Sequence, residues 1–274
     1  VSVTYNKLHN DVKAGHNILL NDGLLNFTVK EVVGTNINCV VDNEGVLSDR
    51  KGMHFPNTPL SMEFISEADK KDLLFAVKND AEFIAASFVS TQQNVLDLKK
   101  FLSDNGLTDC KIIAKIENQL GVNNIEEILE VCDGIMVARG DMGVEIDYCL
   151  LPPIQKDLIK RAKNAGKDVI VATEMLESMI NNSRPTRAEI SDVANAVYDE
   201  AGAVMLSGET ASGKNPVKVV QTMADICKTV EDTIKYAKRF SSRQLNGQSV
   251  TDLISHSSCK AAMQLNAKAI VVST

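Results

Sequence analysis

Apolar and polar positions alternate along this chain in two rhythms, and the rhythm changes near residue 60. Before the change, LLNFTVKEVV (24–33) and NINCVVDN (36–43) are β-rich runs. Gly34-Thr35 between them suits a two-residue hairpin, and Asn21-Asp22-Gly23 marks another turn. Residues 1–55 read as a small all-β piece whose chain begins almost inside a strand, and Pro56 to Pro59 as a domain boundary. After the change, strand-like runs alternate with helical ones. Ser66 caps a helix over 67–78 with Asp69 at its third position, and the strand EFIAASFV (82–89) follows. Thr91 caps a helix with Val95, Leu98, Phe101 and Leu102 on one face.

The alternation continues with the strand KIIAKIE (111–117), a helix near 123–131, the strand GIMVARG (134–140) and a helix over 152–165. Next come the strand DVIVATE (168–174) and a helix capped by Thr186 and Glu189, with Ile190, Val193, Ala194, Val197 and Ala201 inward. The strand AVMLS (203–207) precedes a helix over 216–238, and a helix (252–265) and a strand (267–273) close the pattern. Five strands, each apolar throughout, alternate with helices over 82–238. Such strands are buried on both faces, as in parallel sheets. A doubly wound sheet and a (β/α)8 barrel both fit.

In either fold the working residues sit at the carboxyl ends of the strands. Four successive ends carry polar groups: Lys115 and Glu117, then Arg139-Gly140-Asp141, then Thr173-Glu174, then Ser207-Gly208-Glu209. Their recurrence at one rim implies a shared site. Lys115 and Glu117 are two apart in a strand and so point the same way. Glu117 and Asp141 are hard oxygen ligands, and two carboxylates with no His or Cys suit Mg²⁺ or Mn²⁺, with water or substrate oxygens completing the shell. Lys115 beside that metal places a cation against a phosphoryl group or an enolate oxygen. Gly140 leaves amide N–H groups free for a small carboxylate or phosphate. Thr173 offers a hydroxyl to hold or relay a proton. Metal-assisted chemistry on a small anion, through an enolate or a phosphoryl group, is the expectation.

Composition narrows the field. The chain has 274 residues, a formal net charge of -7 and 44% hydrophobic residues. That balance argues against a nucleic-acid binder and against an anionic membrane surface. No run approaches the length of a membrane-spanning helix, and VSVTYNKLHN does not read as a signal peptide. The six cysteines are scattered singly, which reads as reduced thiols in a cytoplasmic protein. GETASGK (208–214) mimics a phosphate-cradling loop, but Asn215 stands where such a loop needs Ser or Thr. His9, His16, His54 and His256 read as isolated, and Met175 and Met179 as core.

Four long blocks, IIAKIENQLGV (112–122), GIMVARGDMGVEI (134–146), VIVATEMLESMINNSRPTRAEISDVANAV (169–197) and AVMLSGETASGK (203–214), resemble the pyruvate kinase family in order and spacing. KGMHFPNTPL (51–60) resembles the segment by which that family's small β domain returns to the barrel. The resemblance implies a partial (β/α)8 TIM barrel. Residues 1–55 would be the C-terminal part of the small β-barrel (lid) domain, 56–240 βα units 4–8, and 241–274 the start of an α/β C-terminal regulatory domain. It implies phosphoryl transfer from phosphoenolpyruvate to ADP, giving pyruvate and ATP, with Mg²⁺ or Mn²⁺ and with K⁺, in a protein that is a homotetramer at full length.

Position by position, the resemblance makes Lys115 the lysine that stabilises the transferring phosphoryl group, and Glu117 and Asp141 the metal ligands. The backbone at Gly140 and Asp141 would take the substrate carboxylate, and Thr173 would serve substrate binding and proton relay. Lys51 would reach the nucleotide phosphates, and Arg139 and Glu209 would support the site. Two positions depart from the family's usual pattern: Glu174 stands for Gln and Ser90 for Arg.

Against the family's barrel only five of eight strands are placed, and the chain reads as an internal segment of a longer protein. Two open sheet edges are then expected to promote aggregation or edge-to-edge pairing, and the segment alone is expected to turn over phosphoenolpyruvate poorly. Two other readings compete. A metal-dependent carbon–carbon lyase of pyruvate-like enolates would use a similar Glu/Asp site without needing ADP. A non-catalytic segment, truncated or serving interaction, is the other.

Overall fold

The change of rhythm separates two sheets in the computed structural model, which describes residues 1–21, 23–49, 51–242 and 249–272. The chain divides into two units, 1–227 and 228–274, and both sheets lie in the first. A helical turn, α1 (Leu8–Asp11), precedes β1 (Asn17–Leu20), β2 (Leu25–Val33), β3 (Asn36–Val41) and β4 (Met53–His54). These strands form an antiparallel sheet in the order β3-β2-β1-β4. The expected entry inside a strand is not found, since the first strand begins only at Asn17. The hairpin is found: Val33 pairs with Asn36, and Gly34 takes φ +60 at the first turn position, which type II′ turns reserve for glycine. Asn21 (φ +53) and Gly23 (φ +81) make the turn between β1 and β2; Asp22 lies outside the described residues. Leu8, Val12, Ile18, Val29 and Phe55 form this sheet's core.

The second sheet is parallel. α2 (Glu67–Lys78) leads to β5 (Phe83–Ala86), α3 (Gln92–Asp104), β6 (Lys111–Ile116), α4 (Gln119–Asn123), α5 (Ile125–Val131) and β7 (Gly134–Ala138). Then come α6 (Arg139–Glu145), α7 (Leu151–Asn164), β8 (Asp168–Ala172), α8 (Arg187–Tyr198), β9 (Ala203–Val204), α9 (Gly208–Ala211) and α10 (Pro216–Thr233). The capping boxes expected at Ser66–Asp69 and Thr186–Glu189 are both formed. Strand order is β5-β6-β7-β8-β9. A doubly wound sheet reverses direction at a switch point, whereas an unbroken sequential order is how a (β/α)8 barrel is laid down. The sheet is therefore the partial-barrel kind.

Alternation sorts its two faces. Ile112, Ala114, Ile116, Ile135, Val137, Val169 and Val171 belong to the large core shared with the helices. Ile113, Met136, Ala138 and Ala172 form a separate small cluster on the other face. Met175 and Met179 are fully buried, as expected. Burial on both faces holds for β6 to β8 but not for the outer strands: Phe83 of β5 is 56% exposed. Ile190, expected inward on α8, is 40% exposed, and Val193 and Ala196 carry that helix's contact instead.

Other boundaries differ. β7 ends at Ala138, so Arg139 and Gly140 open α6 rather than extend the strand. The expected helix near 123–131 is two pieces, α4 and α5, and the one over 216–238 breaks between α10 and α11 (Tyr236–Ser242). α12 (Val250–Gln264) follows, with the Phe240 and His256 rings stacked at 4.6 Å. The strand expected over 267–273 is not formed at 267–272, and Ser273 lies outside the described residues.

Candidate active site

β6 delivers the central pair. Its last residue is Ile116, and Lys115 and Glu117 leave the same side of the sheet just where the strand ends. Lys115 Nζ is 2.8 Å from Glu117 Oε1 and donates to Ser87 Oγ at 2.7 Å. The Glu117 side chain is fully buried and that of Lys115 is 22% exposed. Glu117 Oε2 accepts the Phe88 amide at 2.5 Å. Glu117 Oε1 is buried with the Lys115 ammonium as its ion partner, yet no donor meets it in good hydrogen-bonding geometry. Burial pushes the Glu117 carboxyl above its usual range; Lys115 and the Phe88 amide oppose this, and the charge of Asp141 adds to the rise. The two carboxylates thus feel each other's charge.

β7 and β8 deliver the rest. Arg139 is spread across the end of β8: Nε donates to Ala172 O (3.3 Å), Nη2 to Thr173 O (2.6 Å), and Nη1 to both oxygens of Asp192 (2.8 and 2.6 Å). Thr173 is held at φ +72 and Glu174 at φ +54, a region costly for a β-branched residue. The Gly140 amide donates to Thr173 Oγ1 at 2.7 Å, which in turn donates to Ala172 O at 2.6 Å. This corrects one expectation: the Gly140 N–H is not free, because the threonine hydroxyl already occupies it. A Cβ at Gly140 would lie 3.3 Å from that hydroxyl, which explains the glycine.

The fourth strand end behaves differently. Glu209 is fully buried and turns back into the chain, accepting the amides of Leu176 (3.1 Å) and Ser207 (2.7 Å). It braces the loop after β8. A carboxylate inside the turn also disfavours a phosphate there, so GETASGK is a strand-to-helix loop. Glu174 is exposed, and Ser90 Oγ meets the Asn118 side chain and Phe88 O. Lys51 is exposed two residues before β4, in the small antiparallel unit.

Two participants escaped the sequence reading. Asp192 on α8 is Arg139's partner; its only signal was an acid beside the inward Val193. His54, taken as isolated, is 8% exposed and has Nδ1 3.1 Å from Glu145 Oε1 on α6. Among the described residues no group of three or more His, Cys, Asp or Glu side chains could hold a metal.

A singly wound parallel sheet with a Lys–Glu pair and a second carboxylate at its carboxyl rim defines the (β/α)8 class with rim-borne chemistry. The pyruvate kinase barrel-domain family model matches residues 1–220, and the chain belongs to the pyruvate kinase family. It is 48% identical over 276 residues to a pyruvate kinase of Clostridium perfringens, covering all of this chain and 58% of that protein. It is 47% identical over 274 residues to one of Clostridium acetobutylicum, with the same coverage. A Staphylococcus haemolyticus pyruvate kinase is 48% identical over 276 residues, which cover all of this chain and 47% of that protein. The chain spans about half the length of the curated relatives it matches. The carbon–carbon lyase alternative gains no support from these matches. No helix among the described residues is long and apolar enough to cross a membrane.

Proposed function

We propose that this chain carries the metal-binding and phosphoryl-handling part of a pyruvate kinase, which moves the phosphoryl group of phosphoenolpyruvate to ADP to give pyruvate and ATP. The observation that carries the reading is the fully buried Glu117, whose Oε1 is met by the Lys115 ammonium at 2.8 Å and whose carboxyl feels the charge of Asp141. A carboxylate in that state fits a divalent cation, and the oxygen-only donor set fits Mg²⁺ or Mn²⁺. Glu117 and Asp141 would hold the ion. When bound it supplies Lewis-acid stabilisation of charge on phosphoryl and enolate oxygens.

The chain's own groups do the rest. The Lys115 ammonium, steadied by Ser87, stabilises charge on the transferring phosphoryl group. A substrate carboxylate arriving at Gly140 and Asp141 replaces Thr173 Oγ1 as the acceptor of the Gly140 amide. That exchange frees the Thr173 hydroxyl to bind near the enol carbon and relay a proton. Arg139 holds the Thr173 carbonyl meanwhile, so the exchange turns the side chain and leaves the backbone fixed. Lys51 is the group we assign to the nucleotide phosphates. K⁺ joins the reading through the family, with no residue of this chain assigned to it. The same reading takes 1–55 as lid, 56–240 as barrel and 241–274 as the start of a regulatory domain, in a cytoplasmic homotetramer.

The test is ADP-dependent pyruvate formation by the full-length protein in a coupled assay with Mg²⁺ and K⁺. Lys115→Met is expected to lower kcat by at least about a hundredfold, the cost of removing one preorganised electrostatic group. Turnover that ignores ADP, or that survives Lys115→Met unchanged, overturns the assignment.

A further inference from the structure

Asp141 lies on α6, and α6 has seven residues, too few to hold a position on their own. One end is tied to the β8 loop through Arg139 and Gly140. The other end is tied to the small antiparallel unit. His54, the last residue of β4, has Nδ1 3.1 Å from Oε1 of Glu145, the last residue of α6 and one helical turn beyond Asp141. Both side chains are nearly buried, 9% and 13% exposed, so water competes little for the bond between them. Gly23, in the turn between β1 and β2, lies close to the same helix: a Cβ added there would come 3.5 Å from the Val144 side chain.

The same imidazole faces the other carboxylate's support. Its ring centroid is 6.5 Å from that of Phe88, tilted by 45°. Phe88 is held at φ +54 and gives its amide to Glu117 Oε2. His54 thus touches the helix that bears Asp141 and the residue that bonds Glu117.

We propose that His54 is a positioning residue that, through Glu145 and Phe88, couples the return strand of the small β unit to the two metal-binding carboxylates. The proposal rests on the reading that Glu117 and Asp141 hold a divalent cation. Displacement of the small unit would be felt at both ligands at once, through a side chain that meets neither substrate nor metal.

The experiment is a titration of the full-length protein with Mn²⁺ alone, with free Mn²⁺ followed by electron paramagnetic resonance and a thermal melt of each variant. Glu117→Gln and Asp141→Asn test the parent reading: both weaken Mn²⁺ binding if it stands, and unchanged affinity in both defeats it whatever His54 does. His54→Ala tests the proposal. Its Mn²⁺ affinity is expected to fall about tenfold, the low end for loss of an outer partner. His54→Asn, whose amide reaches the place of Nδ1, should recover most of that loss. Glu145→Gln should weaken binding as His54→Ala does, and the double variant no further. If His54→Ala melts without cooperativity, Glu145→Gln decides alone. A folded His54→Ala or Glu145→Gln protein that melts lower yet binds Mn²⁺ as tightly as the parent makes the pair merely structural and overturns the proposal.

Discussion

Lys115→Met in the metal-free protein isolates what the central ion pair does for the fold. Glu117 is fully buried, its Oε2 is met by the Phe88 amide, and its Oε1 has only the Lys115 ammonium. Removing the ammonium leaves an uncompensated charge, for which breaking a buried pair costs about 3–5 kcal/mol. Lys115 is itself 22% exposed and Glu117 can take a proton, so the lower end applies, about 3 kcal/mol at pH 8. At roughly 2–4 °C per kcal/mol for a unit of this size, melting should fall by about 6–12 °C. The sign with pH follows from burial. The Glu117 carboxyl lies above its usual value in the folded protein, and losing Lys115 raises it further. A carboxyl raised on folding contributes stability below its unfolded value of 4.5, and that contribution is lost as pH climbs through the folded value. The variant's deficit should therefore shrink toward pH 5. Adding Glu117→Gln removes the stranded charge and should return at least half the loss, because an absent pair costs far less than half a pair. The assay is a set of EDTA-treated thermal melts of parent, both singles and the double at pH 5 and pH 8. Additivity within about 0.5 kcal/mol, or a deficit equal at the two pH values, would refute the reasoning.

Two further outcomes follow from neighbouring contacts. Burial alone would raise the Glu189 carboxyl, but hydrogen bonds from the Ser178 hydroxyl and amide and the Thr186 amide and hydroxyl outweigh it and hold the group below its usual 4.5. Its contribution is present above 4.5 and lost as pH falls through the lower folded value, so Glu189→Gln should flatten the acid side of the pH–melting curve; an unchanged acid slope counts against it. Gly140→Ala puts a methyl 3.3 Å from Thr173 Oγ1 and should break the amide–hydroxyl bond, costing about 1 kcal/mol and slowing turnover. A variant with the parent's melting point and rate would show that Thr173 moves aside freely.

Legibility in the sequence tracked how local each signal was. The capping boxes at Ser66 and Thr186 and the Gly34 hairpin rest on residues within four of each other, and all are formed as expected. The Lys115–Glu117 pair was equally legible, since one strand's alternation fixes it. Strand ends were less so: GIMVARG looks like one apolar run, but the helix starts at Arg139, whose side chain finds acceptors at the last residue of β8 and the one after it, 33 and 34 residues away. The occupied Gly140 amide depends on the same loop, and no pattern within residues 134–146 announces it. Asp192 and His54 were missed for a related reason. A polar residue beside a buried apolar one reads as a solvated face until its partner is brought across from another element.

The short helix α6 shows how far that non-locality reaches into the chemistry. Seven residues with no side-chain cap at the amino end form a marginal helix in isolation. Its stability comes from Met142, fully buried in the core, and from bonds at both ends to other elements. Asp141 therefore takes its place from β8 at one end and β4 at the other. A ligand carried on a self-sufficient helix would stay put when its surroundings moved. One carried on α6 would move with the loop that holds Thr173 and with the strand that returns from the small unit; under the proposed function, substrate arrival at Gly140 and any shift of β4 would then act on the same carboxylate.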